Sequence, residues 1–180
     1  MGRINQPLPV KLVLPMLSAH EELFALAERD LAALYGPVDF RSELLPFAHT
    51  RYYEAEFGPR LLRRFLTFER LIDPGDLAAV KRCTNELEER WSEAGRRRIN
   101  LDPGYLSQAK LVLATTKDYA HRIYIGQGIY AEVTLNYRDR DFCSLPWTYP
   151  DYATEEYRQI FRAIRQIYIG QIRAYAHSFE

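Results

Sequence analysis

Apolar and polar positions alternate along the first half of the chain in a way that predicts strands separated by helices. Residues 10–17 form a compact apolar run, which is typical of a buried strand. Apolar side chains then recur at helical spacing over residues 23–34, and Gly36-Pro37 is a helix stop signal. Residues 38–47 alternate well enough to predict a second strand.

The same order repeats before residue 101. Residues 64–70 predict a third strand, although short apolar runs also fit a helix. Asp73-Pro74-Gly75 predicts a helix start, with aspartate as the N-cap and proline in the first turn. Apolar residues at helical spacing follow through Trp91, and residues 97–101 predict a short strand.

The resulting order, strand–helix–strand–strand–helix–strand, predicts an α+β fold with a ferredoxin-like βαββαβ core and an antiparallel sheet. A second Asp-Pro-Gly sequence predicts a further helix over residues 102–113. Residues 121–125 and 129–137 predict a β-hairpin around Gly126-Gln127-Gly128, and a final helix is predicted from about Thr154.

The length of 180 residues fits one domain covering residues 1–180. Hydrophobic residues make up 47% of the chain and charged residues 27%, which is typical of a globular protein. Only Cys83 and Cys143 are present, without a C-x-x-C pair, and no signal peptide or membrane span is evident. We therefore expect a cytoplasmic protein without membrane partners.

The charges balance overall, with 24 basic and 24 acidic residues, so the total favours no polyanionic partner. Their distribution is uneven. Residues 1–58 carry 5 basic and 8 acidic side chains, residues 59–122 carry 13 and 9, and residues 123–180 carry 6 and 7. An anion would be attracted to the middle third, where the balance is +4.

Polar side chains concentrate between residues 97 and 151. The strings NLDPGY at 100–105, KD at 117–118 and GIYAE at 128–132 lie in this region, and WTYPDY at 147–152 ends one residue beyond it. YYE at 52–54 and Glu56 are weaker markers. On these strings the chain resembles, over nearly its whole length, a bacterial and archaeal family catalogued as domain of unknown function 4416. The resemblance implies no settled activity, although some members carry a GTP-binding label.

An anion site is the first interpretation of this region. Asn100 and Asp102 end a predicted strand where a predicted helix begins, and a helix N-terminus presents free amides to negative charge. Cationic contacts are expected from nearby residues: Lys110, Lys117, His121 and Arg122. The structural alternatives are an N-cap role for Asp102, solvent exposure for Lys110 and Arg122, and a plain edge position for His121.

A second interpretation concerns carboxylates. Glu132 falls in the middle of a predicted strand, and a buried carboxylate there needs a cationic partner, which Arg122 or Lys117 would supply. If Glu132 instead converges with Asp151 and with Glu54 and Glu56, Mg²⁺ would suit the cluster. The four histidines and two cysteines show no zinc-binding spacing.

Two hypotheses about function follow. The first is a small-ligand site, enzymatic or not, for a phosphorylated or nucleotide-like compound bound by Asn100, Asp102, Lys110, Lys117, His121, Arg122, Glu132 and Asp151. The second is an RNA-binding or self-assembly module in which residues 60–64 and 96–98 supply arginines for phosphate contacts. GTP hydrolysis is disfavoured because no G-x-x-x-x-G-K-[ST] phosphate loop is present.

Overall fold

The computed structural model of the chain describes residues 2–48, 57, 58 and 60–177. Its helices are α1 (Glu21–Tyr35), α2 (Leu77–Arg90) and α3 (Glu155–His177), and a 3-10 turn (Pro74–Asp76) leads into α2. Its strands are β1 (Lys11–Ser18), β2 (Val38–Arg41), β3 (Leu45–Phe47), β4 (Leu61–Phe68), β5 (Asn100–Leu101), β6 (Gly104–Leu106), β7 (Lys110–Thr115), β8 (Ile123–Gly126), β9 (Ile129–Arg138) and β10 (Asp141–Ser144).

These strands form one ten-stranded sheet in the order β10–β9–β7–β6–β1–β4–β2. Off this path, β3 pairs with β4, β5 with β1 and β8 with β9. Every pairing is antiparallel. The predicted α+β class with an antiparallel sheet is therefore confirmed, and the sheet is larger than the predicted core.

Helices cover both faces of this sheet. Along β1, successive side chains point to opposite faces, so Leu12 and Leu14 pack with α1 and α2 in one apolar cluster. Val13 packs on the other face, together with Phe161 and Ile164 of α3. The result is a three-layer arrangement in which all eight residues of β1 are buried.

The helix predicted over residues 102–113 is wrong. At the first Asp-Pro-Gly, the Asp73 carboxylate accepts a 2.7 Å hydrogen bond from the Gly75 amide and caps the 3-10 turn. At the second, Gly104 begins β6, which pairs with β1 on one side and β7 on the other. The apolar run of β7 is buried within the sheet, so tertiary pairing overrides the local helix signal.

The other predicted elements differ mainly in their bounds. The predicted strand over residues 38–47 is split into β2 and β3, both of which pair with β4. The predicted strand over residues 97–101 is reduced to the two residues of β5. The hairpin and the final helix are confirmed. Within the described residues, no helix combines the length and the apolar character of a membrane span.

Candidate functional site

A cavity of about 890 Å³ lies where the β5–β6 segment, α2, the β7–β8 loop and the segment before α3 meet. The predicted site residues that line it are Asn100, Asp102, Lys117, His121, Arg122, Glu132 and Asp151. Lys110 is not among the lining residues. It is exposed at the start of β7, opposite Asn136 of β9, so the structure does not bring it together with the other predicted site residues.

Glu132 is the centre of a buried network on β9. Its Oε2 accepts hydrogen bonds from Arg122 Nε at 2.8 Å and lies 3.2 Å from His121 Nε2. Arg122 also donates to the Lys117 carbonyl at 3.0 Å and to the Tyr149 hydroxyl at 2.7 Å. Of the two predicted partners of Glu132, Arg122 is therefore the one that forms the ion pair.

Aromatic rings hold His121 in a fixed plane. Its ring is stacked on Trp147, with centroids 5.3 Å apart and an interplanar angle of 13°. Tyr119 is stacked on it at 6.2 Å and 19°. Trp147 is itself anchored by a 2.8 Å hydrogen bond from its indole N–H to the Val133 carbonyl. Tyr119, His121 and Trp147 thus form an aromatic stack beside the cavity, with the outer two rings exposed.

Arg63 of β4 lies at the buried end of the cavity. Its side chain is 4% exposed, and its Nη2 donates to Asp151 Oδ2 at 3.3 Å. The guanidinium carbon lies 4.9 Å from the ring centroid of Phe47 and 6.0 Å from that of Tyr152. Among the described residues, no acceptor is in hydrogen-bonding geometry with Arg63 Nε or Nη1, or with the buried Tyr152 hydroxyl.

Two charged side chains of α2 hold the backbone of β5 at the cavity wall. Glu88 Oε1 accepts a hydrogen bond from the Leu101 amide at 2.6 Å, and Lys81 Nζ donates to the Leu101 carbonyl at 2.7 Å. Burial raises the pKa of Glu88, although Lys81 opposes this shift. Arg97 completes the pairing by donating to Glu88 Oε2 at 3.0 Å.

Asp102 belongs to this wall and does not cap a helix. Its carboxylate accepts from Asn100 Nδ2 and lies 3.5 Å from Lys81 Nζ. The predicted anion site at a helix N-terminus is therefore wrong in its mechanism, because no helix begins at Asp102. Asn100 and Asp102 line the cavity through their side chains instead.

The carboxylates of the cavity are placed against cations. Glu132 faces Arg122, and Asp151 faces Arg63. Within the described ranges, no group of three or more His, Cys, Asp or Glu side chains is arranged to hold a metal ion. Glu54 and Glu56, the other carboxylates of the magnesium hypothesis, lie outside the described residues.

A family model matches residues 8–168 of the chain. The chain belongs to the family described as Domain of unknown function (DUF4416). The described residues that line the cavity all fall within the matched region, so this part of the cavity belongs to the family domain. Neither a curated protein nor a solved structure matches the chain.

In this DUF4416 domain, sequence reasoning missed several lining residues from the first hundred positions. Arg63 shares the buried face of β4 with Leu61 and Phe65, so period-2 spacing could have identified it. Lys81 and Glu88 fall on the buried stripe of α2, where charged residues are unusual. Their contacts with residues 97–102 are long-range and leave no local pattern.

Proposed function

We propose that this DUF4416 domain binds a small anionic ligand, phosphorylated or nucleotide-like, in the cavity. The observation that carries this proposal is the buried guanidinium of Arg63, which lines the cavity while Nε and Nη1 have no acceptor among the described residues. Buried donors are rarely left without an acceptor, since desolvation without a hydrogen bond costs about 1–3 kcal/mol.

A phosphate or carboxylate would supply the acceptors that Arg63 lacks. The planar guanidinium donates two parallel hydrogen bonds to either group, and the Tyr152 hydroxyl lines the same cavity as a further donor. Burial raises the pKa of Tyr152 well above its usual value, so its hydroxyl keeps its proton at neutral pH. This end of the cavity is therefore suited to an anion.

The aromatic stack supports a ligand with a planar group. Trp147 is 37% exposed, and the stack with His121 fixes the orientation of its ring. Tyr119 is 55% exposed, and its ring also lies 4.5 Å from the guanidinium carbon of Arg122. Stacking of a nucleobase on an aromatic side chain contributes about 1–3 kcal/mol and does not depend on the identity of the base. An anionic end and a stacking surface in one cavity together favour a nucleotide-like compound.

The lining charges favour a small anion over a nucleic acid. Among the described residues that line the cavity, five cationic side chains (Arg63, Lys81, Arg97, Lys117 and Arg122) face five carboxylates (Glu88, Glu89, Asp102, Glu132 and Asp151). A polyanion would meet as much repulsion as attraction there. In the two arginine clusters of the RNA hypothesis, Arg63 is buried, Arg97 bonds Glu88 and Arg98 bonds Glu22.

Self-assembly is the second candidate, and an exposed apolar strand favours it. Ile123 and Tyr124 of β8 are 72% and 58% exposed, although they belong to a strand. Exposed apolar strands commonly pair with another chain. Light scattering over a range of concentrations, with Ile123→Lys as the variant, tests this: a dimer that dissociates in the variant would support assembly through β8.

We further propose that β5, β1, β4 and β2, together with α1 and α2, form the ferredoxin-like core predicted from the sequence. Their order in the sheet and the shared face of α1 and α2 support this assignment. A cytoplasmic location remains a prediction, supported by the free thiols of Cys83 and Cys143.

Thermal shift and calorimetric titration with adenosine monophosphate, inorganic phosphate and adenosine test the ligand proposal. Adenosine monophosphate at 100 times its dissociation constant should add about 2.7 kcal/mol of stability. Arg63→Lys, which keeps the charge but loses the planar fork, should weaken binding of both phosphate compounds. The matched control Lys110→Met lies outside the cavity and should bind like the wild type. The proposal is wrong if adenosine and adenosine monophosphate bind equally, or if Arg63→Lys leaves the titrations unchanged.

A further inference from the structure

His121 is fixed in position more firmly than a surface histidine. The stack with Tyr119 and Trp147 sets the plane of its ring, and the contact between its Nε2 and Glu132 Oε2 sets the rotation within that plane. The side chain is 24% exposed and lines the cavity. This is the preorganisation expected of a side chain that acts on a bound molecule.

Charge neutralisation of Glu132 does not account for His121. Arg122 Nε lies 2.8 Å from Glu132 Oε2 and already compensates the buried carboxylate, and the Thr134 hydroxyl lies 3.4 Å from Oε1. When His121 Nε2 carries the proton and donates it to Glu132, Nδ1 is left with its lone pair. No group among the described residues forms a hydrogen bond with that nitrogen.

We propose that His121 is a catalytic residue that exchanges a proton with the ligand of the cavity, and that Glu132 is its positioning residue; this rests on the proposed ligand site. Neutral His121 accepts a proton at Nδ1 from a water molecule or a ligand hydroxyl and becomes an imidazolium. The oxygen that loses this proton bonds to the ester centre of the ligand, the carboxylate of Glu132 stabilises the imidazolium, and the same proton passes to the ester oxygen as its bond to that centre breaks. A base oriented by a carboxylate in this way is a recurring device of acid–base catalysis.

The substrate class follows from the same geometry. The anionic end is held at Arg63, so the reacting group is a hydroxyl or ester of the same phosphorylated or nucleotide-like molecule. The chemistry assigned to His121 is proton transfer to and from an oxygen of this molecule or of water.

Diethyl pyrocarbonate, which acylates the unprotonated nitrogen of imidazole, tests the proposal on the intact wild-type protein. Peptide mass spectrometry gives the rate at each histidine, and His20 is the internal reference because its side chain is 41% exposed. We expect His121 to react faster than His20 although it is less exposed. A His121 that reacts no faster than His20 overturns the proposal.

Two variants examine the role of Glu132. Glu132→Gln should slow acylation of His121 about tenfold, since the neutral amide no longer stabilises the positive charge that develops on the imidazole ring. Glu22→Gln, which removes a carboxylate beside His20, should leave the rate at His121 unchanged. An unchanged rate in Glu132→Gln would refute the positioning role.

The reagent requires no ligand, so this experiment can fail without the binding proposal failing. If His121 is acylated no faster than His20 in a protein that still binds adenosine monophosphate, the proton-transfer proposal is wrong and the binding proposal stands. If Glu132→Gln does not fold, the comparison of His121 with His20 in the wild type still decides the outcome.

Discussion

Arg122 and Glu132 form an ion pair that is withdrawn from water on both sides. The Nε–Oε2 distance is 2.8 Å, and the two side chains are 3% and 2% exposed. The residues flank the turn of the β8–β9 hairpin, so the pair fixes the start of β8 against β9 at the wall of the cavity.

Removing one member of this pair should be costly. Arg122→Met leaves the Glu132 carboxylate buried without its main cation, and we expect a loss of about 3–5 kcal/mol in the free energy of unfolding. The double variant Arg122→Met/Glu132→Gln should lose less than the sum of the single variants. Urea denaturation measures all three. Arg138→Ala, which removes the exposed pair with Asp139, is the control and should change stability by less than about 0.5 kcal/mol.

The raised pKa of Glu88 predicts a pH dependence of stability with a defined sign. Burial raises its pKa in the folded state above the ordinary value of 4.5, so the folded protein holds this proton to higher pH than the unfolded chain does. The stabilisation that the protonated Glu88 side chain contributes is therefore fully present below pH 4.5, and it is lost as the pH rises through the folded-state pKa.

Urea denaturation across this range checks the prediction. The free energy of unfolding of the wild type, minus that of Glu88→Gln, should fall with rising pH through the window above pH 4.5 and then become level. Glu86→Gln, at an exposed position of the same helix, should show no such trend. If this difference in the free energy of unfolding rises with pH, the pKa of Glu88 is not raised in the folded state.

Gly104 should not tolerate a side chain. A Cβ at this position would lie 2.2 Å from the Val112 carbonyl oxygen and 2.7 Å from Leu113 Cδ2, because β6 and β7 are in close contact there. We expect Gly104→Ala to destabilise the protein by about 1–3 kcal/mol, the usual cost of overpacking. Gly170→Ala is the matched control: it has open space within α3 and should stabilise by about 0.5–1 kcal/mol. Thermal denaturation of the two variants gives the comparison.

Trp147 should report ligand entry by fluorescence. The chain has two tryptophans, and Trp91 packs against the core cluster of α1 and α2, whereas Trp147 lines the cavity. In Trp91→Phe, where Trp147 is the only tryptophan, adenosine monophosphate should change the emission because the planar base stacks beside the indole. In Trp147→Phe the ligand should leave the emission unchanged. If the emission change is kept in Trp147→Phe, where Trp91 is the only tryptophan, the ligand binds outside this cavity.

The elements that the sequence predicted correctly are those with strong local signals. The buried run of β1, the helix stop at Gly36 and the Asp73 cap of the turn before α2 each depend on a few neighbouring residues. The second Asp-Pro-Gly carries the same local signal, and there the pairing of Gly104 with both Val13 and Leu113 decides the structure. The pairing with Val13 joins positions about ninety residues apart and leaves no mark in a short window.

The candidate site also contains residues that local sequence patterns identify and residues that are placed by long-range contacts. The polar strings between residues 97 and 151 identified seven residues that line the cavity. Arg63, which carries the binding proposal, comes from β4, and its contact with Asp151 spans 88 residues. The sequence predicts that an arginine in an apolar strand needs a partner, but it does not indicate which distant residues supply one.

The central position of β1 has a consequence for how the chain is made. This strand is synthesised about fifty residues before β4, and its other edge is covered only when residues 100–106 arrive. Until then a mostly apolar strand, which is buried throughout in the folded domain, has open edges, and this is a known cause of aggregation in nascent and slowly folding chains. Fragments that end before residue 100 are therefore expected to be insoluble, and the cavity forms only after most of the domain has been synthesised.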